Sequence, residues 1–525
     1  MMFMPLLFLL VGALHAGGYD ILIRDARVVD GAGNPWFRAD VAIANGKIAA
    51  IGSQGDAKAR RIIEAHGRVL APGFIDVHTH VETTDAGGGI QRVPRGDNYL
   101  RDGVTTVVTG NCGSSEVRIR EWFVKLEKLK LGLNLATLVG HNSVRHAVMG
   151  DANRAAQPVE IRRMQDLVEQ GMKDGAVGFS TGLLYVPGAY SNTDEVIELA
   201  KASAKHGGIY TSHIRDQGEK LAESITEAVT VGREAHMRVE ISHFKVSGRR
   251  LWGTSDKALA LLDKFRDEGV DVAIDQYPYD RSSTGLSITI PTWALADGQA
   301  KVRERLQDAA TRAKIIQGMR ELLTKSGAPD YSYATVASFP PDHSIEGKSI
   351  TEINVALGRK KTVEDEMQTI LELLEKSDAQ MVYHTMSMED VERILRYPNT
   401  SIGSDGGVEV MGVGVPHPRS YGTNARVLAE FVRQRKTISL EDAIRRMTSL
   451  PAGRFGFQDR GLVREGLAAD LVLFDPEKVQ DKATYPNPHQ FSDGFDFVLV
   501  NGTVVVEEGK FTDARPGRVL RHVDK

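Results

Sequence analysis

The feature that most restricts how this chain can fold is a series of eight short apolar segments that alternate with stretches of helical periodicity. Such alternation is typical of a parallel sheet covered by helices, and eight units predict an α/β fold, a closed (β/α)8 barrel of the TIM type. The chemistry of such a barrel lies at the C-terminal ends of its strands. The predicted strands are GFIDV (73–77), TTVVT (105–109), LATLV (135–139), AVGF (176–179), IYTS (209–212), RVEIS (238–242), DVAID (271–275) and TSIGS (400–404).

One connection is much longer than a barrel requires. About 125 residues separate the seventh predicted strand from the eighth, where a single helix would need far fewer. We therefore expect an inserted subdomain at about 286–380. Because long loops above a barrel commonly determine specificity, the insertion, including Trp293, is expected to cover the site.

Both ends of the chain have the pattern of antiparallel β structure. Short alternating apolar stretches fill residues 19–70 and return within residues 452–525. Two dipeptides that favour tight hairpins lie among them, Asn45-Gly46 and Asn501-Gly502. We expect the two terminal segments to form one small β-sandwich domain, which leaves residues 71–451 for the barrel.

The composition excludes several kinds of partner. A net charge of −4 provides no field for holding nucleic acid, and an apolar fraction of 42% with a charged fraction of 26% is ordinary for a globular chain. Nucleic acid and membrane surfaces are therefore not expected as partners. The single cysteine, Cys112, excludes an intramolecular disulfide.

The N-terminus begins with an apolar run, MMFMPLLFLLVGALHA. This run is too short to span a bilayer but has the length of the core of a secretory signal, although no Lys or Arg precedes it. We interpret residues 1–16 as a signal peptide. Its cleavage would give a periplasmic or secreted protein without a membrane segment, and without cleavage the protein would be cytoplasmic.

Candidate metal ligands stand at the ends of the predicted strands. His78 and His80 close the first strand, and a two-residue period in extended backbone directs both side chains the same way. The other candidates follow four further strands, in the order Cys112, His213, His243 and Asp405. Each has a structural alternative, because strand histidines and buried cysteines occur without metals and Asp-Gly-Gly is also a turn sequence. Their shared position at strand ends favours a metal site.

Five motifs carry a resemblance to a known family. APGFIDVHTHVE, VTGNCGSS, SHIRDQG, ISHFK and IGSDGG resemble the N-acyl-D-amino-acid deacylases (D-aminoacylases) of the amidohydrolase superfamily, from about residue 19 to the C-terminus. The resemblance implies a tight zinc site of Cys112, His213 and His243. It also implies a second, weaker or empty site in which His78 and His80 share Cys112. A thiolate suits this role because sulfur can bridge two ions.

The resemblance further implies zinc-dependent hydrolysis of the amide bond of N-acyl-D-amino acids. Asp405 would act as general base and acid, taking a proton from metal-activated water and returning it to the departing amine. No GxSxG motif is present, which argues against a serine hydrolase.

Four residues are expected to bind the α-carboxylate of the substrate by the same resemblance: Lys245, Tyr277, Ser283 and Arg419. For a lysine or arginine the alternative is a solvated surface charge. Tyr185 could contact the substrate carbonyl or amide, or simply pack within its loop. An acidic substrate side chain would need a further arginine, and the sequence does not assign Arg281 or Arg303 to that task.

Three other functions remain open at this point. A cyclic-amide hydrolase of the hydantoinase or dihydroorotase type shares the barrel, but many binuclear relatives use a lysine after strand four, where this chain has Gly178-Phe179-Ser180. A mononuclear deaminase would leave Cys112 unused. A non-catalytic binding barrel would not need a complete ligand set. The acyl group, the side chain, the number of working metals and the oligomeric state are not determined by the sequence.

Overall fold

The computed structural model of this chain describes residues 18–82 and 88–522. The predicted signal peptide lies outside the described residues, so it and the localisation that depends on it stay predictions. Within the described part, no helix combines the length and the apolar character needed to cross a membrane.

Eight parallel strands form the predicted closed barrel. The third strand is interrupted at Leu138, and the first and eighth strands are joined by a parallel bridge between Thr79 and Gly406. The hydrogen bond from the Asp405 N–H to the His78 carbonyl oxygen, 2.7 Å, closes the same seam. The strands are Phe74–Asp76, Val104–Thr109, Asn134–Thr137 with Val139–Gly140, Gly178–Gly182, Ile209–His213, Val239–Ile241, Val272–Gln276 and Thr400–Ile402.

Helices cover the outside of the barrel with their apolar faces turned inward, as their spacing of apolar residues requires. Some have side-chain caps: the Asn192 side chain accepts a hydrogen bond from the Glu195 N–H at the start of one helix. The helices are Asp97–Leu100, Ile119–Leu129, His141–Met149, Pro158–Lys173, Thr193–Ala204, Leu221–Ala235, Ser255–Asp267, Met388–Arg396, Arg419–Arg426, Leu440–Met447 and Ser449–Phe455, with a π-helical segment at Val427–Gln434.

The long connection between strands seven and eight folds as a subdomain with its own hydrophobic core. Its antiparallel sheet has the order Arg281–Gly285, Gln380–His384, Ala334–Ser338. Arg281 pairs with His384, so the insertion begins and ends a few residues outside the predicted range. The difference arises because its first and last strands pair with each other although about a hundred residues separate them in the chain. Its helices are Gln299–Gln307, Ala309–Ser326, Ile350–Ala356 and Val363–Lys376.

The two terminal segments share one nine-stranded sheet that folds over a separate small core. Both predicted hairpin dipeptides sit in two-residue turns with positive φ at each residue, as the Asn-Gly preference requires. The strands are Tyr19–Val28, Phe37–Ala44, Lys47–Gly52, Ala59–Glu64, Val69–Pro72, Leu471–Phe474, Phe495–Val500, Thr503–Glu507 and Lys510–Phe511.

A buried polar cluster connects the terminal sheet to the barrel. Asp470 forms an ion pair with Arg460 and accepts hydrogen bonds from the Asn134 side chain at 3.0 Å and the Asn501 N–H at 2.6 Å. Asn134 belongs to the third barrel strand, whereas Asn501 lies in a hairpin of the terminal sheet. The cluster therefore fixes the position of one unit against the other.

Asp470→Asn should destabilise the protein, because the buried Arg460 guanidinium would lose its one buried counter-charge and keep only the exposed Asp459. Removing one partner of a buried ion pair costs about 3 kcal/mol or more in the free energy of unfolding. Urea unfolding monitored by fluorescence measures the loss. The matched control is Asp459→Asn, since Asp459 also pairs with Arg460 but its side chain is 67% exposed; it should cost less than about 1 kcal/mol. Equal losses in both variants would contradict the assignment.

Candidate metal centre and active site

The predicted ligands meet at the C-terminal end of the barrel, where the strands place them. Three of them, Cys112, His243 and Asp405, have φ values of 52°, 36° and 54°, in the left-handed region that non-glycine residues rarely adopt. Strained backbone of this kind concentrates at functional sites. The turns after strands two, six and eight thus aim these side chains toward a common point.

One group of ligand atoms consists of Cys112, His213 and His243. The Cys112 Sγ lies 3.5 Å from the His243 Nε2, which in turn lies 2.8 Å from the His213 Nδ1. All three residues are buried. Thiolate and imidazole are ligands that zinc takes in proteins, and three protein ligands with one open position are typical of catalytic zinc sites. These side chains therefore fit a zinc ion.

A second group consists of His78, His80 and Asp405 and shares Cys112 with the first. The Cys112 Sγ lies 3.3 Å from the His78 Nε2, and the His80 Nε2 lies 3.0 Å from an Asp405 carboxylate oxygen. The single thiol thus stands between both groups. This geometry fits a shared sulfur ligand.

The two groups differ in the protonation states of their members. Burial lowers the pKa of His213 and of His243, and although burial opposes ionisation of Cys112, the adjacent histidines hold the pKa of its thiol well below the usual range. By contrast, burial opposes protonation of His80, but Asp405 and Cys112 raise its pKa to about 10. A metal needs neutral imidazoles and a thiolate. The first group already has these states, whereas His80 must first lose a proton.

Asp275 supports both groups, although no motif in the sequence singles it out. Its carboxylate lies 3.0 Å from the His78 Nδ1 and accepts the His243 N–H at 2.7 Å. A carboxylate on the far nitrogen of a ligating histidine fixes the orientation of the ring. Its position near the end of the seventh strand could have identified it in the sequence, because an aspartate there that faces inward is buried in the barrel core.

Asp405 joins the metal groups to Arg419. One carboxylate oxygen faces His80, and the other lies 2.8 Å from the Arg419 Nη1. Burial opposes ionisation of Asp405, but Arg419 and the nearby histidines hold its pKa well below the usual range. Arg419 is itself buried and stacks on the Tyr277 ring at 4.7 Å. Asp405 is therefore a carboxylate held in a fixed orientation.

A cavity of about 470 Å³ opens onto this arrangement. Six of the predicted site residues line it: His80, Cys112, Tyr185, Ser283, Asp405 and Arg419. The Tyr185 ring also packs edge-on against His213, with centroids 4.6 Å apart.

Lys245 and Tyr277 are buried and, like the candidate ligands His213 and His243, are not among the cavity-lining residues. The Lys245 Nζ lies 2.8 Å from the His243 Nδ1, and burial lowers the pKa of its amine to about 7. Lys245 thus lies against His243 and Tyr277 against Arg419, and the binding of the substrate α-carboxylate by these two residues stays a prediction.

The inserted subdomain contributes to the cavity wall, but through other residues than expected. Ser338 and Gln380 line the cavity, and the Gln380 side-chain amide donates to the Ser283 Oγ at 3.0 Å. Trp293 is not among the lining residues and is 40% exposed. Strand pairing inside the insertion, which the sequence does not reveal, decides which residues reach the cavity.

Cys112→Ala should abolish tight metal binding, because the thiolate belongs to both groups of ligands. His80→Ala should retain about one metal ion per chain, since it leaves Cys112, His213 and His243 intact. Metal content after dialysis, measured by inductively coupled plasma mass spectrometry, separates the two variants. His146→Ala, at an exposed histidine outside the groups, is the control. Full retention of metal by Cys112→Ala would contradict the assignment.

Sequence and structure comparisons with known proteins agree on one family. The chain is 35% identical to the D-aminoacylase of Alcaligenes xylosoxydans xylosoxydans, covering 96% of this chain and 97% of the relative. It is 34% identical to the N-acyl-D-aspartate deacylase of the same organism, covering 95% of each. A crystal structure of the N-acyl-D-glutamate deacylase from Bordetella bronchiseptica, complexed with zinc and a phosphonate mimic of the tetrahedral intermediate, matches with a TM-score of 0.82 at 33% identity, over 96% of this chain and 100% of that one.

The family model described as the amidohydrolase family matches residues 61–506, which include the whole barrel and every predicted site residue. Together with relatives that are similar over nearly their full length, this match agrees with the resemblance seen in the sequence motifs. The chain belongs to the amidohydrolase family.

Proposed function

We propose that this protein hydrolyses the amide bond of N-acyl-D-amino acids with zinc as its metal. The observation that carries the proposal is the convergence, beside one cavity, of a Cys-His ligand set, a fixed carboxylate and a buried arginine. The relatives named above support the choice of substrate class, since all three act on N-acyl-D-amino acids by their names.

Cys112, His213 and His243 would hold the zinc ion that takes part in the reaction. When bound, zinc supplies a Lewis acid that polarises the amide carbonyl and lowers the pKa of water. His78 and His80 would complete a second site through Cys112. Asp275 orients the ligands through His78 and the His243 backbone.

Asp405 would move the proton during hydrolysis. Its carboxylate is ionised at neutral pH, so it can accept a proton from the attacking water as the carbon–oxygen bond forms. It then returns that proton to the amide nitrogen as the carbon–nitrogen bond breaks. The products are a carboxylate and a free D-amino acid, and no covalent acyl-enzyme is required.

Arg419 and Ser283 would bind the α-carboxylate of the substrate at the cavity wall. A guanidinium matches a carboxylate with two parallel N–H donors, and the Tyr277 ring holds its plane. Lys245 and Tyr277, whose ring lies beneath the Lys245 Nζ, would complete the group that binds the α-carboxylate. Tyr185, which packs against His213 on the cavity wall, would contact the acyl carbonyl.

An amine-release assay with zinc-loaded enzyme tests the proposed function. N-acetyl-D-methionine should be hydrolysed, and N-acetyl-L-methionine should react at least about a hundredfold more slowly, a difference of about 2.7 kcal/mol in the barrier. Hydrolysis of only the L compound, or of neither, would overturn the proposal. Parallel assays with hydantoin and adenine test the cyclic-amide and deaminase alternatives, and neither should react.

Asp405→Asn should lower kcat by about a hundredfold to ten-thousandfold, the usual contribution of a positioned general acid and base. The amide keeps the size of the side chain but cannot accept the proton. Steady-state kinetics with N-acetyl-D-methionine measure the loss, and metal analysis of the same sample should show zinc still bound by Cys112, His213 and His243. Unchanged kcat with full zinc content would exclude Asp405 as the proton carrier.

A further inference from the structure

We propose that Glu409 selects the substrate side chain, and that the preferred substrates are N-acyl-D-amino acids with a positively charged side chain. This inference rests on the proposed function and specifies its substrate class. It assigns a role to a carboxylate that lies in the cavity but takes no part in the metal groups or in the proposed proton transfer.

Glu409 lies beside the residues that would hold the α-carboxylate. Its side chain is half-buried on the cavity wall and accepts a hydrogen bond from the Ser420 Oγ at 3.1 Å. Ser420 directly follows Arg419 at the start of the helix Arg419–Arg426. The α-carboxylate and the side chain of an amino acid are bonded to the same carbon atom. A carboxylate bound at Arg419 therefore directs the substrate side chain into the part of the cavity next to Arg419.

The charges on the cavity wall favour a cation at that place. Within residues 18–82 and 88–522, Arg419 is the one lysine or arginine that lines the cavity, and it is already paired with Asp405. Glu409 takes part in no ion pair among the same residues. The cavity therefore has a cation for the α-carboxylate and a carboxylate with no counter-charge of its own.

Among residues 18–82 and 88–522, no lysine or arginine other than Arg419 lines the cavity to receive a second carboxylate on the substrate. Arg281 stacks on Tyr485, and Arg303 donates to backbone carbonyl oxygens within the insertion; neither lines the cavity. An acidic side chain would instead approach Glu409, and unpaired like charges in a partly desolvated site cost free energy. Overall identity does not distinguish the options, because this chain is as similar to an aspartate deacylase as to a D-aminoacylase.

Glu409 is ionised under ordinary assay conditions. Burial raises the pKa of its carboxyl group to about 6, while Ser420 and Arg419 act in the opposite direction. At pH 8 the carboxylate form predominates, so assays at that pH examine a negatively charged site.

The test compares kcat/KM of the zinc-loaded enzyme at pH 8 for N-α-acetyl derivatives of D-lysine, D-arginine, D-methionine and D-glutamate. We expect the two cationic substrates to exceed D-methionine by about tenfold, which corresponds to about 1.4 kcal/mol, and D-glutamate to be the poorest. Glu409→Gln should reduce the ratio of D-lysine to D-methionine to near one. Glu409→Lys should raise the ratio of D-glutamate to D-lysine by at least about a hundredfold.

Glu321→Gln is the matched control, because it removes one negative charge from an exposed position on the helix Ala309–Ser326 and should leave all substrate ratios unchanged. Zinc content and circular dichroism of each variant establish that the site is intact. If D-methionine is hydrolysed but D-glutamate is as good a substrate as D-lysine, or if Glu409→Gln preserves the preference, the role of Glu409 is overturned while the proposed function stands. If no D compound reacts, the proposed function itself fails and this inference fails with it.

Discussion

The site depends on one thiol that faces imidazoles from two sides in a buried space. Cys112 lies within 3.5 Å of both His78 and His243, where an uncompensated thiolate would be costly. The surrounding histidines favour the thiolate, and the burial of His213 and His243 favours their neutral forms. The protein thus favours a thiolate at Cys112 and neutral imidazoles at His213 and His243, the forms that bind a divalent ion. The rest of the site is arranged around these three side chains.

The closed barrel supplies the rigidity that this arrangement needs. The seam between the first and eighth strands places Asp405 against the histidine pair through backbone hydrogen bonds, so the distance from carboxylate to ligands does not depend on a flexible loop. Asp275 adds a second constraint from the seventh strand. A catalytic group fixed by regular structure loses little free energy to reorganisation when charge develops.

Beside the metal ligands, charged side chains follow one another along the cavity. Asp405 pairs with Arg419, Arg419 stacks on Tyr277, and Glu409 lies on the adjoining wall beside Ser420. The Arg419 guanidinium is thus shared between Asp405, the proposed proton carrier, and the proposed binding place of the substrate carboxylate. The wall beyond it comes from the loop after the eighth strand and from the inserted subdomain, so substrate choice can vary without changes to the ligands.

Local pattern in the sequence was sufficient for the barrel, the hairpin turns and the meeting of the candidate metal ligands with Asp405. Strand and helix periodicity, the two-residue period of His78 and His80, and the Asn-Gly turns are short-range properties, and the rule that barrel chemistry follows strand ends connects them to a site. Only the tertiary structure placed Asp275 behind the histidines, Lys245 against His243 and Tyr277 against Arg419. It also brought Gln380 instead of Trp293 to the cavity and set Glu409 beside Arg419. Those placements depend on contacts between residues far apart in the chain, which no local pattern specifies.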